Sequence, residues 1–143
     1  MTNTSNADYA ALLLRLSLGV LFIAHGALKL FVFTPAGTVG FFGSLGLPAI
    51  FAYLTILAEI GGGAALIAGF ATRLVSIATL PILLGAIFLV HGANGWLYSN
   101  PNGGWEFPAF WAVALIVQAL LGDGAYAVKT PRLLALTPAS ASE

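Results

Sequence analysis

Four apolar blocks, each close to the length that crosses a bilayer and separated by short connectors, constrain this chain more than any other feature. A hydrocarbon core about 30 Å thick takes roughly 20 helical residues at about 1.5 Å of rise each. The blocks fall at residues 9–33, 48–70, 73–91 and 107–121. Lipid offers a backbone no hydrogen-bond partners, so spans of this composition are helices. Charged residues make up 7% of the 143, against about 25% in a soluble domain. The predicted fold class is an all-α membrane protein, a four-transmembrane-helix bundle. Its expected organisation is a polar N-terminal tail over 1–8, a transmembrane domain over 9–128 and a disordered C-terminal tail over 129–143.

The connectors are informative. TPAGTVGFFGSLGLP, residues 34–48, is too broken by glycine to span, while Phe41, Phe42, Leu45 and Leu47 make it too apolar to sit free in water. An interfacial or re-entrant segment between helices 1 and 2 is expected there. Only Ala71 and Thr72 join the second and third blocks, which forces an antiparallel hairpin. Residues 94–106 carry Trp96, Tyr98 and Trp105 among glycines and Pro101, the composition of an ordered loop at headgroup level. The first eight residues lack the basic start of a secretory signal, so the first block is expected to be retained.

With four spans, both termini share a side with the turn at Arg73. That side collects Arg73, Lys129 and Arg132, with Arg15 nearby, whereas the other holds only Lys29. The positive-inside rule then places both termini in the cytoplasm. The formal net charge is zero, and no basic face is present to bind nucleic acid. The absence of cysteine excludes disulfide staples and thiolate-held clusters within the chain.

The polar residues inside the blocks are the candidate functional groups: Arg15, His25, Lys29, Glu59, Pro81, His91 and Gln118. A charge at mid-bilayer costs about 2.5–3.5 kcal/mol on insertion scales, so such groups face a bundle interior. At about 100° per residue, Arg15, Gly19, His25, Gly26 and Lys29 share one stripe of the first helix. Thr55, Glu59, Gly62, Gly63 and Leu66 share a face of the second. The polar stripe is expected to meet the glycine-lined one, because small residues permit close approach in lipid. Helical side chains lean toward their own N-terminus, so in an antiparallel pair His25 and Glu59 lean together. A Glu59–His25 contact is therefore expected, with Arg15 as the alternative partner and Gln118 able to serve Arg15.

Plainer roles compete with chemistry at each position. Buried Arg, Glu and Gln can pair simply to fix helix register. Lys29, near a helix end, can snorkel to the headgroups. His91 heads a loop it can order, Glu106 complements a helix dipole, and Pro81 is expected to kink its helix. The candidate polar cluster is Arg15, His25, Lys29 and Glu59; the candidate cofactor-binding residues are His25, Lys29, His91 and Glu106. No metal site is assigned, although His25 and His91 could in principle clamp a haem or a copper ion.

The segments RLSLGVLFIAHGALKL, AEIGGGAALIAGFATR and GGWEFPAFWAVALIVQALLGDGAYAV together resemble the DoxX family of small four-helix membrane proteins. The shared features are Arg15 early in the first helix, His25-Gly26 and Lys29 further along it, Glu59-Ile60-Gly61-Gly62 midway through the second, and Gly103-Gly104-Trp105-Glu106 entering the fourth. The family's closing Gly-x-Gly is kept as Gly122-Asp123-Gly124, but Ala127-Val128-Lys129 replaces its usual Ser-Leu-Asp ending. The family takes its name from a quinol oxidase subunit, and relatives are similar to the membrane part of thiosulfate:quinone oxidoreductase. The resemblance implies a bacterial inner-membrane protein of a quinone-linked redox system. The alternative it implies is a non-catalytic membrane anchor or scaffold for a soluble redox or sulfur-handling enzyme. A proton or small-solute pathway through Glu59 is a third expectation, carried by its mid-span position alone. Lipid, a soluble redox partner and a second copy of the chain are the partners considered.

Overall fold

The computed structural model describes residues 4–131 and 134. Within them all the regular secondary structure is helical, with no strand. Helix α1 (Asn6–Ala27) starts at a reciprocal cap. Ser5 Oγ accepts the Asp8 amide at 3.3 Å, and the Asp8 carboxylate accepts the Ser5 amide at 2.8 Å. This cap begins the helix three residues before the apolar pattern does. Helix α1 continues into a π-helical stretch, Leu28–Val32. A turn at Thr34, held at φ 62°, then leads into α2 (Thr34–Ser44), with proline in its first turn. The 11 residues of α2 reach only about 16 Å, too short to span.

Helix α3 (Ala49–Ala68) ends at Gly69, which adopts φ 71° while the Phe70 amide returns to the Ala65 carbonyl at 2.9 Å. A Cβ at Gly69 would lie 2.7 Å from that of Ala127 and 2.9 Å from the Arg15 guanidinium carbon, so space as well as backbone angle demands glycine. Helix α4 (Thr72–Gly85) turns back at once, runs through Pro81, and passes into a second π-helical stretch, Ala86–His91, and a 3-10 turn, Gly92–Asn94. Helix α5 (Glu106–Leu121) closes the series. Three continuous helical segments are long and apolar enough to cross a membrane: Asn6–Val32, Ala49–Ala68 and Thr72–Asn94; α5 is a shorter apolar helix. Their outward faces carry exposed Leu13, Leu57, Phe88 and Leu120, a surface suited to lipid. The chain is a multi-pass membrane protein.

Packing explains the glycines. A Cβ on Gly19 would approach the Gly63 carbonyl oxygen to 2.7 Å, and one on Gly63 would approach the Gly19 oxygen to 2.8 Å, so α1 and α3 meet nearly backbone to backbone. The polar stripe of α1 thus faces α3 as expected. Gly62, grouped with Gly63 on sequence grounds, instead faces α4, where its Cβ would meet Thr79 Cγ2 at 3.0 Å. One residue of helix is about 100° of rotation, enough to separate them. The core is Leu18, Phe22, Leu66, Leu83, Trp111, Ala112 and Leu115, drawn from α1, α3, α4 and α5.

Residues 122–130 pack back across the base of the bundle. The Ala125 amide donates to the Asp8 carbonyl at 3.0 Å, the Val128 amide to Ala68 at 3.1 Å, and Thr130 Oγ1 accepts the Ala71 amide at 2.8 Å. The expected disorder of 129–143 lies, apart from residues 129–131 and 134, outside the described residues.

Candidate functional site

Two groups of buried polar residues stand at opposite ends of α1. At the base, Arg15 is 1% exposed and its guanidinium is bound entirely by backbone carbonyls. Nε donates to Asp123 at 3.0 Å, Nη1 to Leu66 at 3.1 Å and to Ile67, and Nη2 to Ala125 at 2.8 Å. Leu66 and Ile67 belong to the last turn of α3, where the helix dipole favours a cation; the Leu66 carbonyl also accepts the Gly69 amide at 3.1 Å. Asp123 adds a carboxylate nearby, whose Oδ1 accepts the Thr72 amide at the start of α4 at 3.1 Å. Arg15 therefore ties together α1, the end of α3 and the strap at 122–125. Neither expected partner, Glu59 nor Gln118, is used. Gln118 donates instead to the Gly122 carbonyl at 2.8 Å.

At the other end, Lys29 Nζ lies 2.8 Å from Glu59 Oε1. This corrects two expectations. Glu59 pairs with Lys29 and not with His25, and Lys29 bends into the protein instead of snorkelling outward. The lean that favoured His25 applies equally to Lys29, one turn further along the same stripe, and the longer lysine stem completes the reach. Lys29 also falls in the π-helical stretch, which widens the turn and frees a carbonyl. The Thr38 hydroxyl occupies that position, 3.3 Å from the Lys29 carbonyl and 2.9 Å from that of Thr34, pinning α2 against α1. His25 Nδ1 lies 2.9 Å from the Leu21 carbonyl, which can only accept, so Nδ1 carries the proton. Its ring meets Trp111 edge-on at 4.9 Å.

These residues floor a groove of about 1010 Å³ between α1, α2, α3 and α4. Its walls are mainly apolar and aromatic, with Phe33, Phe41, Phe42 and Phe51 among them; the polar groups are His25, Lys29, Thr38, Thr55, Glu59 and His91. Both π-helical stretches border it, one bringing Lys29 and the other His91. His91 Nδ1 donates to the Gly103 carbonyl at 2.9 Å, the loop-ordering bond expected of it. Glu106 stands away from the groove. Its Oε1 accepts the Tyr98 amide at 2.7 Å and fastens the loop over residues 95–105, so its carboxylate serves the loop as well as the start of α5. The same loop is closed by backbone bonds from Trp105 to Gly95 and Glu106 to Trp96, both 3.1 Å, with Trp96 and Trp105 in edge contact.

Of the sequence candidates, the groove gathers His25, Lys29, Glu59 and His91, and leaves out Arg15 and Glu106. Sequence reasoning placed Thr55 on the face of Glu59 but missed Thr38 and the phenylalanines of α2 as groove residues. The glycine-broken but apolar character of residues 34–48 was the available signal. No set of three or more metal-ligating side chains gathers among the described residues. Five buried side-chain atoms have no hydrogen-bond partner among the described residues: Thr72 Oγ1, Ser76 Oγ, Trp111 Nε1, Gln118 Oε1 and, alone among the groove residues, Glu59 Oε2.

Fold and site together define a small helical membrane protein with a lipophilic groove floored by an ion pair. The chain belongs to the DoxX family, whose model matches residues 10–92, from α1 to the end of the second π-helical stretch. It is 35% identical over 131 residues to the Bacillus subtilis (strain 168) protein named "Putative oxidoreductase CatD", covering 92% of this chain and 87% of that one. It is 30% identical over 129 residues to "Inner membrane protein YqjF" of Escherichia coli (strain K12), covering 85% of this chain and 90% of the relative. No solved structure matches it.

Proposed function

We propose that this DoxX protein binds a quinone in the α1–α4 groove and serves as the membrane component of a quinone-linked redox system in a bacterial inner membrane. The observation that carries the reading is the groove's division of labour. A cavity of about 1010 Å³ has mostly apolar and aromatic walls and confines its charge to one pair, Lys29 and Glu59. A quinone asks for that combination: an apolar slot for ring and tail, and hydrogen-bonding groups at the carbonyls. Lys29 supplies donors, while Glu59 and His25 supply groups able to exchange protons. The name of the Bacillus subtilis relative, "Putative oxidoreductase CatD", is consistent with the redox part of this reading.

The reading includes a membrane arrangement. Helices α1, α3, α4 and α5 span, and α2 lies at the outer interface as the groove's lid. Helix α5, at 16 residues, reaches about 24 Å and is extended at its outer end by the tryptophan-bearing loop. Both termini are cytoplasmic, with Arg73 and Lys129 on that side.

The test is purification in a gentle detergent, with identification of co-extracted lipid and of any protein that co-purifies. Quinone at a substantial fraction of one per chain is the expected result. Absence of quinone, with a soluble enzyme retained in stoichiometric amount, would overturn it in favour of the membrane-anchor role.

A further inference from the structure

We infer that the groove selects the hydroxyl-bearing, reduced form of its ring ligand, a hydroquinone, over the oxidised quinone. The inference rests on the quinone-binding reading and deepens it.

It starts from what the polar groups of the groove still lack. Glu59 Oε1 is taken by Lys29 at 2.8 Å, and Oε2 is buried without a partner in a side chain only 4% exposed. A carboxylate paired with a lysine accepts hydrogen bonds at both oxygens and donates none. Leaving one such oxygen buried and unpartnered is costly, and an ordered water or a bound group with a hydrogen to donate offsets that cost. The histidines point the same way. His25 Nδ1 and His91 Nδ1 are each committed as donors to a backbone carbonyl, so in the neutral ring each Nε2 is an acceptor. The unused capacity of the groove is therefore acceptor at Glu59 Oε2 and at the two Nε2 atoms, and donor at the remaining N–H groups of Lys29 and at the Thr55 hydroxyl.

A quinone offers two carbonyl oxygens, both acceptors. Set against Glu59 Oε2, either one repels. A hydroquinone offers two hydroxyls, each able to donate. One donates to Glu59 Oε2 while its own oxygen accepts from Lys29, which satisfies both charged groups at once. The apolar remainder of the groove, with Phe33, Phe41 and Phe51, suits the ring and the tail in either form and does not discriminate. An anionic headgroup fails for the reason the quinone does, since it meets the carboxylate. The proposal concerns binding alone.

The test compares three ligands on the full-length protein in detergent under anaerobic conditions, by calorimetric titration. They are a decyl-tailed benzoquinone, its hydroquinone, and the dimethyl ether of that hydroquinone. A hydrogen bond to a charged acceptor corresponds to roughly tenfold or more in affinity. The hydroquinone should bind at least about tenfold tighter than the other two. Glu59→Gln, whose amide can donate as well as accept, should shrink that ratio to within about threefold. Equal or tighter binding of the quinone would overturn the selectivity and leave the quinone site standing. Equal binding of hydroquinone and ether would also overturn it, and needs no variant protein. A preference that survives intact in Glu59→Gln would overturn the assignment to Glu59. Failure of all three ligands to bind would overturn the underlying reading as well.

Discussion

Arg15 and Lys29 are cations on one face of one helix, 14 residues and about 21 Å apart, and the protein treats them in opposite ways. Arg15 is sealed, with four carbonyls from two distant segments filling its guanidinium. Lys29 is 20% exposed and pairs with one carboxylate oxygen, leaving the other buried without a partner beside a large groove. A planar guanidinium with five donors suits a cage of fixed carbonyls, whereas a single ammonium on a flexible stem can change partners. The base of the molecule is thus built to stay and the opposite end to receive. Gly19, Gly26 and Gly63 let α1 and α3 approach closely along their length, while nothing lies within 4 Å of a Cβ on Gly40 or Gly43 in α2.

The sharpest way to break this comparison is to remove the sealed cation. Arg15→Met strips four carbonyls of their donor and detaches the strap at 122–125 from α3. A loss of about 3–5 kcal/mol is expected, read as a large drop in the melting temperature in detergent. A variant that melts within a degree or two of the parent would mean the base is not held by Arg15.

A smaller effect is expected from the three consecutive glycines of α3, whose faces differ. Gly63→Leu drives a side chain into α1 and should cost about 1–3 kcal/mol. Gly61→Ala meets nothing within 4 Å and should be neutral or stabilise by up to about 1 kcal/mol through helix propensity. Similar melting shifts at the two positions would show that the α1–α3 contact is looser than its geometry implies.

At the groove, disruption should be mild. Glu59→Gln leaves Lys29 able to swing outward, so about 1–2 kcal/mol is expected. In double-mutant cycles, Glu59→Gln with Lys29→Met should show coupling above about 0.5 kcal/mol, and Glu59→Gln with Arg15→Met should be additive. Coupling to Arg15 and none to Lys29 would reverse the assignment of the two sites.

The last prediction should leave stability within about 0.5 kcal/mol, because it changes only exposed positions. In intact cells, Ser99→Cys in the outer loop should react with an impermeant maleimide, and Lys129→Cys should not. The chain has no cysteine of its own to confuse the labelling. The opposite pattern would invert the orientation and place the groove mouth toward the cytoplasm.

How much of this was legible in the sequence depends on the kind of partner involved. Block length and apolarity marked the long helices, because a bilayer selects both. The stripe of Arg15, His25 and Lys29 was visible because helical periodicity orders side chains around an axis, and its meeting with Gly63 followed from the need for small residues. The capping box at Ser5 and Asp8 was also present in the letters, though the apolar pattern drew attention to a later start.

The partners themselves were not legible. Arg15 is held by carbonyls of Leu66, Ile67, Asp123 and Ala125, and every residue carries a carbonyl, so the sequence does not mark which ones a fold leaves free. The choice of Lys29 over His25 for Glu59 turned on side-chain reach one helical turn further on and on a π-helical turn that no residue type announces. The groove required α2 to fold back along α3, which Thr38 and the turn at Thr34 secure through contacts closed only in three dimensions. The sequence by itself determined that a few polar residues would be buried among apolar helices, because periodicity and hydrophobicity are properties of the chain. Tertiary structure alone decided which of them would be sealed and which left with an open valence, because hydrogen bonding depends on angstrom-scale distances between segments far apart in sequence.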